Sequence, residues 1–375
     1  MIDYVEIRDA SRSFFGIVDT AKSVIWHTIY YGVGDFEIYA QATEAHKQLL
    51  QTGNYVTRPN DVNVGIIEAI NVTFDTTCGY MLTATGSFAK SLLDRRLIYN
   101  LSGTVNRPTV LSGSVEKAAR KLVQNNAISC SFDSRRNISI LGLAPLRNLT
   151  PIIVDADGDA AEKQVSYQNL LEYSDELLQE YGLGARILLS DNKTLLYDVY
   201  EGADRSTDNT DGNEPVVFSP EYDNITSSEY SKDTRPLKNA ALIGGAGEGL
   251  ARFYSLIPGT GSGLTRREVW VDASSINRTY KDDQDQEQTY TDAEYRAMLI
   301  AQGRQELAQH VTLEDFEGEI NVLNTQWTLG EDYNLGDIVT LQDNFLGIYT
   351  HARIAELTEC QDESGYTVQP VFANY

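Results

Sequence analysis

Apolar and polar positions alternate with a period of two over much of this chain, the pattern of strands that bury one face. Tyr4 to Arg8, Phe14 to Val18 and Ser23 to Tyr31 are read as strands, and Gly32, Gly34 and Asp35 turn the chain into another at Phe36 to Ala40. Ala45 to Leu50 predicts a short helix, and Tyr55 to Thr57 returns to extended backbone. The clearest pattern runs from Trp327 to Gln369. There, aliphatic residues at Val339, Leu341, Ile354 and Leu357 alternate with turn chemistry at Gly336-Asp337, Asp343-Asn344 and Asp362 to Gly365, which predicts an antiparallel meander. A partial twin stands near the N-terminus: Gly65-Ile66-Ile67, an alternating strand from Glu68 to Asp75, then Gly79-Tyr80 and a strand through Thr83. Two similar sheets would therefore bracket the chain, unless two hairpins with Gly-Tyr at the turn match by chance.

From Pro108 onward the texture becomes mixed. Ser114 is placed to cap a helix that buries Val115, Ala118, Ala119, Leu122 and Val123. Ser129 to Phe132 and Ile138 to Leu143 read as short strands. Ser166 is read as the cap of a second helix bearing Tyr167, Leu170, Leu171, Leu177, Leu178 and Tyr181, which Gly182 and Gly184 end. Residues 185–189 and 194–200 form a hairpin, and residues 201–214 are polar, turn-rich and expected to be mobile. Strands resume at Val216 to Phe218, Ile225 to Tyr230 and Asn239 to Gly245. Two further strands, Arg252 to Leu256 and Arg267 to Asp272, flank a glycine-rich loop; a polar run over 280–288 follows. Thr291 with Glu294 makes a capping box for a helix whose Ala293, Ala297, Ile300, Ala301, Leu307 and Ala308 share a face. Phe316 to Val322 then leads into the meander. The fold class is β-rich α+β, multidomain: a first β-domain over 1–108, a mixed domain over 109–214, a second β-domain over 215–250 with 316–375, and an insertion over 251–315.

Length supports that division, since 375 residues are too many for one ordinary domain. With 42% hydrophobic residues and 22 tyrosines, the chain has the apolar matter for packed cores. Charge narrows the function classes: 30 basic against 54 acidic residues leave a formal charge of −24, which argues against a surface built to grip nucleic-acid phosphates. Cys78, Cys130 and Cys360 have no C-x-x-C spacing, so neither a disulfide framework nor a zinc site is indicated and folding in a reducing cytoplasm is expected. The N-terminus lacks the basic and apolar regions of an export signal, and no run of about 18 apolar residues occurs, so membrane insertion is not expected.

Candidate chemistry is sparse. Asp155, Asp157 and Asp159 suggest a calcium loop, yet the glycine falls early and Ser166 stands where a bidentate Glu is needed. Glycine-rich stretches at 244–249 and 259–263 match no phosphate-binding fingerprint and lead into strands. His27, His46, His310 and His351 are scattered. Glu356 and Glu359 could serve a glycosidase, but 54 acids make such pairs unavoidable. Arg95 and Arg96 form a basic pair that reads as a solvated or salt-bridged turn, with an anion site as the lesser alternative. Trp26 and Phe36 read as core aromatics, a ligand platform being the other option. No catalytic residue, cofactor site or metal site is assigned.

The residues also carry a resemblance. Trp26 with Gly34, Phe36, Glu37 and Ile38, then Gly86 and Phe88 to Arg95, Arg96 and Ile98, then Arg296 with Gly303 to Leu307, Phe316 to Ile320, and Tyr333 with Gly336, Asp337 and Thr340 follow one another in an order similar to that of the siphovirus tail-protein family related to baseplate hub proteins. The likeness extends from about residue 4 to the C-terminus. It implies two similar tube-type β-barrel domains, a mixed domain between them and an insertion in the second barrel. It further implies a homotrimer whose six barrels form a pseudo-six-fold ring at the tail tip of the virion. Distal tail or tail-tube proteins would lie on one side, tip or fibre proteins on the other, and DNA would meet the ring only in transit. Assembly would take place in the host cytoplasm, the insertion would pack outside the ring, and a C-terminal extension for wall degradation or fibre attachment would be lacking. The other function classes are a cell-wall hydrolase and a glycan- or receptor-binding module.

Overall fold

The computed structural model describes residues 2–103, 105–155, 158–281, 286–321 and 326–373. The first stretch folds as β1 (Val5–Arg8), β2 (Phe14–Val18), β3 (Ala21–Ile29), β4 (Asp35–Gln41), β5 (Tyr55–Thr57), β6 (Gly65–Asp75) and β7 (Gly79–Phe88), with α1 (Glu44–Leu49) between β4 and β5. Strict alternation puts Val24, Trp26, Phe36 and Ile38 on one face, where they join Val5, Ile7, Leu82 and Phe88 in a core. The Trp26 ring lies 4.8 Å from Phe88 and 5.8 Å from Phe36, centroid to centroid, and both Trp26 and Phe36 are buried. They pack; no face is left for a ligand. A Cβ on Gly65 would stand 2.4 Å from the Phe36 ring, so β6 can cross this core only with glycine there.

The middle of the chain contains β8 (Thr109–Ser112), α2 (Val115–Val123), β9 (Leu141–Leu143), β10 (Glu162–Val165), α3 (Leu170–Glu180), β11 (Gly184–Leu189) and β12 (Leu195–Tyr200). Ser114 caps α2 as its position implies, accepting from the Lys117 amide at 3.4 Å. The second helix starts later than expected. Asn169, not Ser166, accepts the Leu171 and Glu172 amides, and Tyr167 sits at φ 63°, which no helix interior accommodates. Residues 129–132 form no strand, and the Ile138 to Leu143 strand shortens to β9. Strands pair in the order β9-β12-β11, and the two helices pack over a core that also takes Leu92, Leu93 and Ile98 from the end of the first stretch. Residues 201–214 are held rather than free. Asp337 accepts from the Ala203 amide at 2.8 Å and pairs with Arg205 at 3.1 Å, while Asp208 meets His351 at 3.1 Å.

Beyond them come β13 (Val217–Phe218) and β14 (Ile225–Asp233), then β15 (Ala240–Gly244), β16 (Tyr254–Ile257), β17 (Glu268–Asp272) and α4 (Asp292–Gln309), and finally β18 (Leu313–Ile320), β19 (Ile338–Asp343), β20 (Ile348–Asp362) and β21 (Gly365–Ala373). The strand over 240–244, assigned from the sequence to the second β-domain, pairs instead with β16 and β17 and packs on α4. Asp233 and Leu313 are ladder partners, so everything between them leaves and re-enters the large sheet at one point. The Thr291 and Glu294 capping box forms, but the buried residues of α4 are Tyr295, Met298, Leu299, Ala301, Gly303 and Gln305, and Ala293 is exposed. Gln305 donates to Glu176 of α3 at 2.9 Å, which docks the inserted unit on the middle of the chain. Val322, counted in the strand leading to the meander, and residues 282–285 of the polar run lie outside the described residues.

Thirteen strands form one sheet, in the order β14-β18-β21-β20-β3-β4-β7-β6-β5-β1-β2, with β19 on the outer part of β20 and β13 on β19. Two paths within it have the same form: β3-β4-β7-β6-β5-β1 and β14-β18-β21-β20-β19-β13. Matching strands occur in the same chain order in both. The last pair differs, since β1 and β5 are antiparallel while β13 and β19 are parallel. Each path has its own core, the second built on Phe218, Tyr333, Val339, Ile354, Leu357 and Phe372. The chain is thus β-rich with helices, as the sequence implies, but among the described residues no ladder closes either path into a barrel.

Candidate functional site

The two halves meet where β3 pairs with β20, from Glu356 opposite Ile29 to Asp362 opposite Ser23. Because side chains alternate, this junction has a core side and an outer side. On the core side Glu359 is buried between the two cores. It accepts both terminal nitrogens of Arg58, one at 2.9 Å, and the Tyr366 hydroxyl. Arg58 also pairs with Asp61 at 2.7 Å and lies 5.1 Å from the centre of the Trp26 ring. Burial lowers the proton affinity of Arg58, but its bonds to Glu359 and the charges of Asp61 and Glu359 outweigh that and raise its pKa. On the outer side His27 meets Glu356 at 2.9 Å through Nε2 and Asp35 at 3.2 Å through Nδ1. The hydrogen bond to Glu356 raises the imidazole pKa; partial burial opposes it, and Asp35 adds to the rise.

That outer face extends over eight antiparallel strands from β6 to β14. Its ladder positions include Asn71 and Thr73, Thr83 and Thr85, Glu37 and Tyr39, Ile25 and His27, Glu356 and Thr358, Thr367 and Gln369, Glu319, and Ser227 and Glu229. Carboxylates and hydroxyls dominate it. Lys22, Arg95 and Arg235 stand only at its rims, paired with Glu363, Glu68 and Asp233.

Among the described residues the sheet is open at β2 and β13 and, besides these, at two longer edges. Only Gly65 and Ile66 of β6 ladder with β5, so from Glu68 to Asp75 that strand has a neighbour on one side alone. Among the described residues β14 has a ladder only with β18. At the matching place in the second path, the edge of β20 is occupied by β3. Beside the open part of β6, Val72, Phe74 and Tyr80 are exposed, and the Phe74 and Tyr80 rings lie 4.8 Å apart.

The other sequence candidates are scattered. Glu356 and Glu359 point to opposite faces of β20, one toward His27 and one toward Arg58, because three residues along a strand reverse the side. Two carboxylates so separated cannot flank one glycosidic bond. His46 donates from Nδ1 to the Gln41 carbonyl, His310 meets Glu306, and His351 meets Asp208 and Thr340. Asp155 accepts from the Asp159 amide, and Asp157 lies outside the described residues. Among the described residues no group of three or more His, Cys, Asp or Glu side chains is arranged for a metal. No helix among the described residues is long and apolar enough to cross a membrane. Sequence reasoning missed Arg58 and named Glu359 only as half of a glycosidase pair; the signal for its buried role was a charged residue inside an otherwise alternating strand.

Comparison with known proteins gives a consistent picture. The family described as Siphovirus ReqiPepy6 Gp37-like protein matches residues 4–373. No curated protein matches the chain. Among solved structures, a prophage MuSo2 43 kDa tail protein from Shewanella oneidensis aligns with a TM-score of 0.57 at 11% identity, covering 99% of this chain and 98% of that one. A tail protein from Neisseria meningitidis MC58 aligns with a TM-score of 0.55 at 14% identity, covering 99% and 96%. Prophage tail protein gp18 from Listeria monocytogenes EGD-e aligns with a TM-score of 0.50 at 12% identity, covering 99% and 94%. At these identities the likeness is one of fold.

Proposed function

Since this chain belongs to the Siphovirus ReqiPepy6 Gp37-like protein family, we propose that it is a structural hub of a phage tail tip, in which three copies form a pseudo-six-fold ring around the path of DNA. One observation carries the reading: among the described residues, the open edges of β6 and β14 are the two that the internal junction fills elsewhere. In the second path β20 is completed by β3. The counterpart of β20 is β6, and the counterpart of β3 is β14, and both have open edges on the sides concerned. Pairing β6 of one copy with β14 of the next repeats the β20 and β3 junction between chains. Eight strands are an even number, so antiparallel alternation continues across the boundary without a fault. Three copies contribute three times eight, or 24 strands, and each presents two like units to a six-fold neighbour, which is what symmetry matching requires.

In such a ring the two cores face outward and the polar face lines the channel. A lining of carboxylates and hydroxyls offers phosphates no counterion-releasing contacts, so DNA passes without being held. Tail-tube or distal tail proteins would dock on one side of the ring and tip or fibre proteins on the other, in a virion assembled in the host cytoplasm. The role is mechanical and needs no catalytic residue. Solution mass tests the reading directly: light scattering on the purified chain should give three times 41.7 kDa, about 125 kDa. A strictly monomeric or dimeric species at concentrations well above those in an assembling cell would end it.

A further inference from the structure

Two Arg-Arg pairs, Arg95-Arg96 and Arg135-Arg136, come from separate segments and line one cavity of about 280 Å³ together with Leu97 and Tyr99. Gathering four guanidiniums is unexpected in a chain where acids outnumber bases by 54 to 30. Two of the four have carboxylate partners: Arg95 meets Glu68 at 3.3 Å, and Arg135 meets Asp133 at 2.8 Å. The other two have none among the described residues. Arg96 donates only to carbonyls, of Arg136 at 2.8 Å and of Arg95 at 2.9 Å. Arg136, only 8% exposed, donates to the carbonyls of Leu97 and Tyr99, to Asn126 and to the Cys130 thiol, and lies 4.0 Å from the centre of the Tyr99 ring. Carbonyls and rings satisfy hydrogen-bonding geometry without cancelling the charge. Burial, and then the charges of Arg136 and Arg95, push the Arg96 pKa down, as repulsion among like groups requires.

We infer that this cavity is an anion site that takes a single compact phosphate group. Several guanidinium forks around one space suit the several oxygens of a phosphate better than one carboxylate, which a single fork satisfies. The cavity has room for one such group, and the Arg95 and Arg135 side chains at its mouth are exposed enough to close on it. A long polyanion is disfavoured, because the rest of the chain, at −24, repels it. The inference is independent of ring formation, since all four arginines belong to one chain.

The test is calorimetric titration of the full-length protein with sodium phosphate, against sodium chloride at matched ionic strength. Arg135 is almost fully exposed, so R135Q cannot threaten the fold; it and the R95Q/R96Q double variant should each weaken phosphate binding by about tenfold or more, the effect of losing a charge-assisted hydrogen bond. The R235Q/K117Q variant removes two positive charges from exposed positions elsewhere and should bind phosphate like the parent. Absence of phosphate-specific heat in the parent protein, or equal weakening in both double variants, would overturn the site. A short DNA duplex supplies the remaining arm: if it binds through these arginines while phosphate does not, the single-phosphate reading is wrong.

Discussion

Arg58 is the side chain that decides whether the two halves can share one sheet. It reaches Glu359 across 301 residues of chain and pairs with that carboxylate where it is buried at the junction. Replacing it with alanine leaves Glu359 charged, dry and without its cation, a change that costs about 3–5 kcal/mol when a buried pair loses one partner. Urea unfolding of R58A should show a loss of that size. A paired R58M/E359L variant should recover most of it, because both charges then leave together. His27 gives the opposite face a pH dependence whose sign follows from its raised pKa. The contribution of its protonated form is fully present below about pH 6.5, the unfolded value, and is lost as pH rises through the higher folded value. Resolved NMR titration should place the His27 midpoint above that of an exposed histidine, and H27Q should flatten the stability profile across the same interval; a midpoint at or below 6.5 contradicts the pairing.

At the scale of elements, the open edges of β6 and β14 are the features with the largest consequence. Exposed strand edges of this length invite pairing unless something covers them. Lysines at Asn71 and Thr73 of β6 and at Ser227 and Ser231 of β14 would set like charges against each other on one face of the proposed ladder. That four-site variant should sediment as a folded monomer. Keeping the β6 lysines and placing glutamates at Ser227 and Ser231 should restore the larger species; if the lysine variant assembles like the parent, these strands are not the interface. The inserted unit poses a separate question. Since Asp233 and Leu313 already pair, a two-residue Asn-Gly turn can join β14 to β18 directly. The shortened chain should still unfold in one cooperative transition by calorimetry. Loss of that transition would mean that the inserted unit, held to α3 through Gln305 and Glu176, is part of the fold rather than an addition to it.

For the whole molecule, charge is the property with the clearest consequence. If three copies close the proposed ring, they bring three times −24, or −72 formal charges, around a face at whose rims Lys22, Arg95 and Arg235 stand. Fluorescence anisotropy with a labelled duplex at low salt, where screening is weakest, should show no binding to the assembled protein. Affinity that falls steeply with added salt would place basic groups in the path and defeat the argument. The strands, the meander and the twin hairpins were legible because a period of two is a local signal. The second helix was misplaced by three residues because Ser166 and Asn169 are equally good caps in isolation, and only the left-handed backbone at Tyr167 separates them.

By itself the sequence determined the character of most elements, the caps of α2 and α4, the burial of Trp26 and Phe36, and the hairpin with Gly-Tyr at its turn that recurs in both halves. Those follow from alternation, capping and turn chemistry, which act over a few residues. Only the tertiary structure decided which strands became neighbours. It took the strand at 240–244 out of the large sheet and into the inserted unit, joined β3 to β20, turned Glu356 and Glu359 to opposite sides, and brought two distant Arg-Arg pairs to one cavity. The physical reason is that a strand's hydrogen-bonding edge is the same whatever its sequence, so its partner is chosen by the packing of whole faces, which no local pattern records.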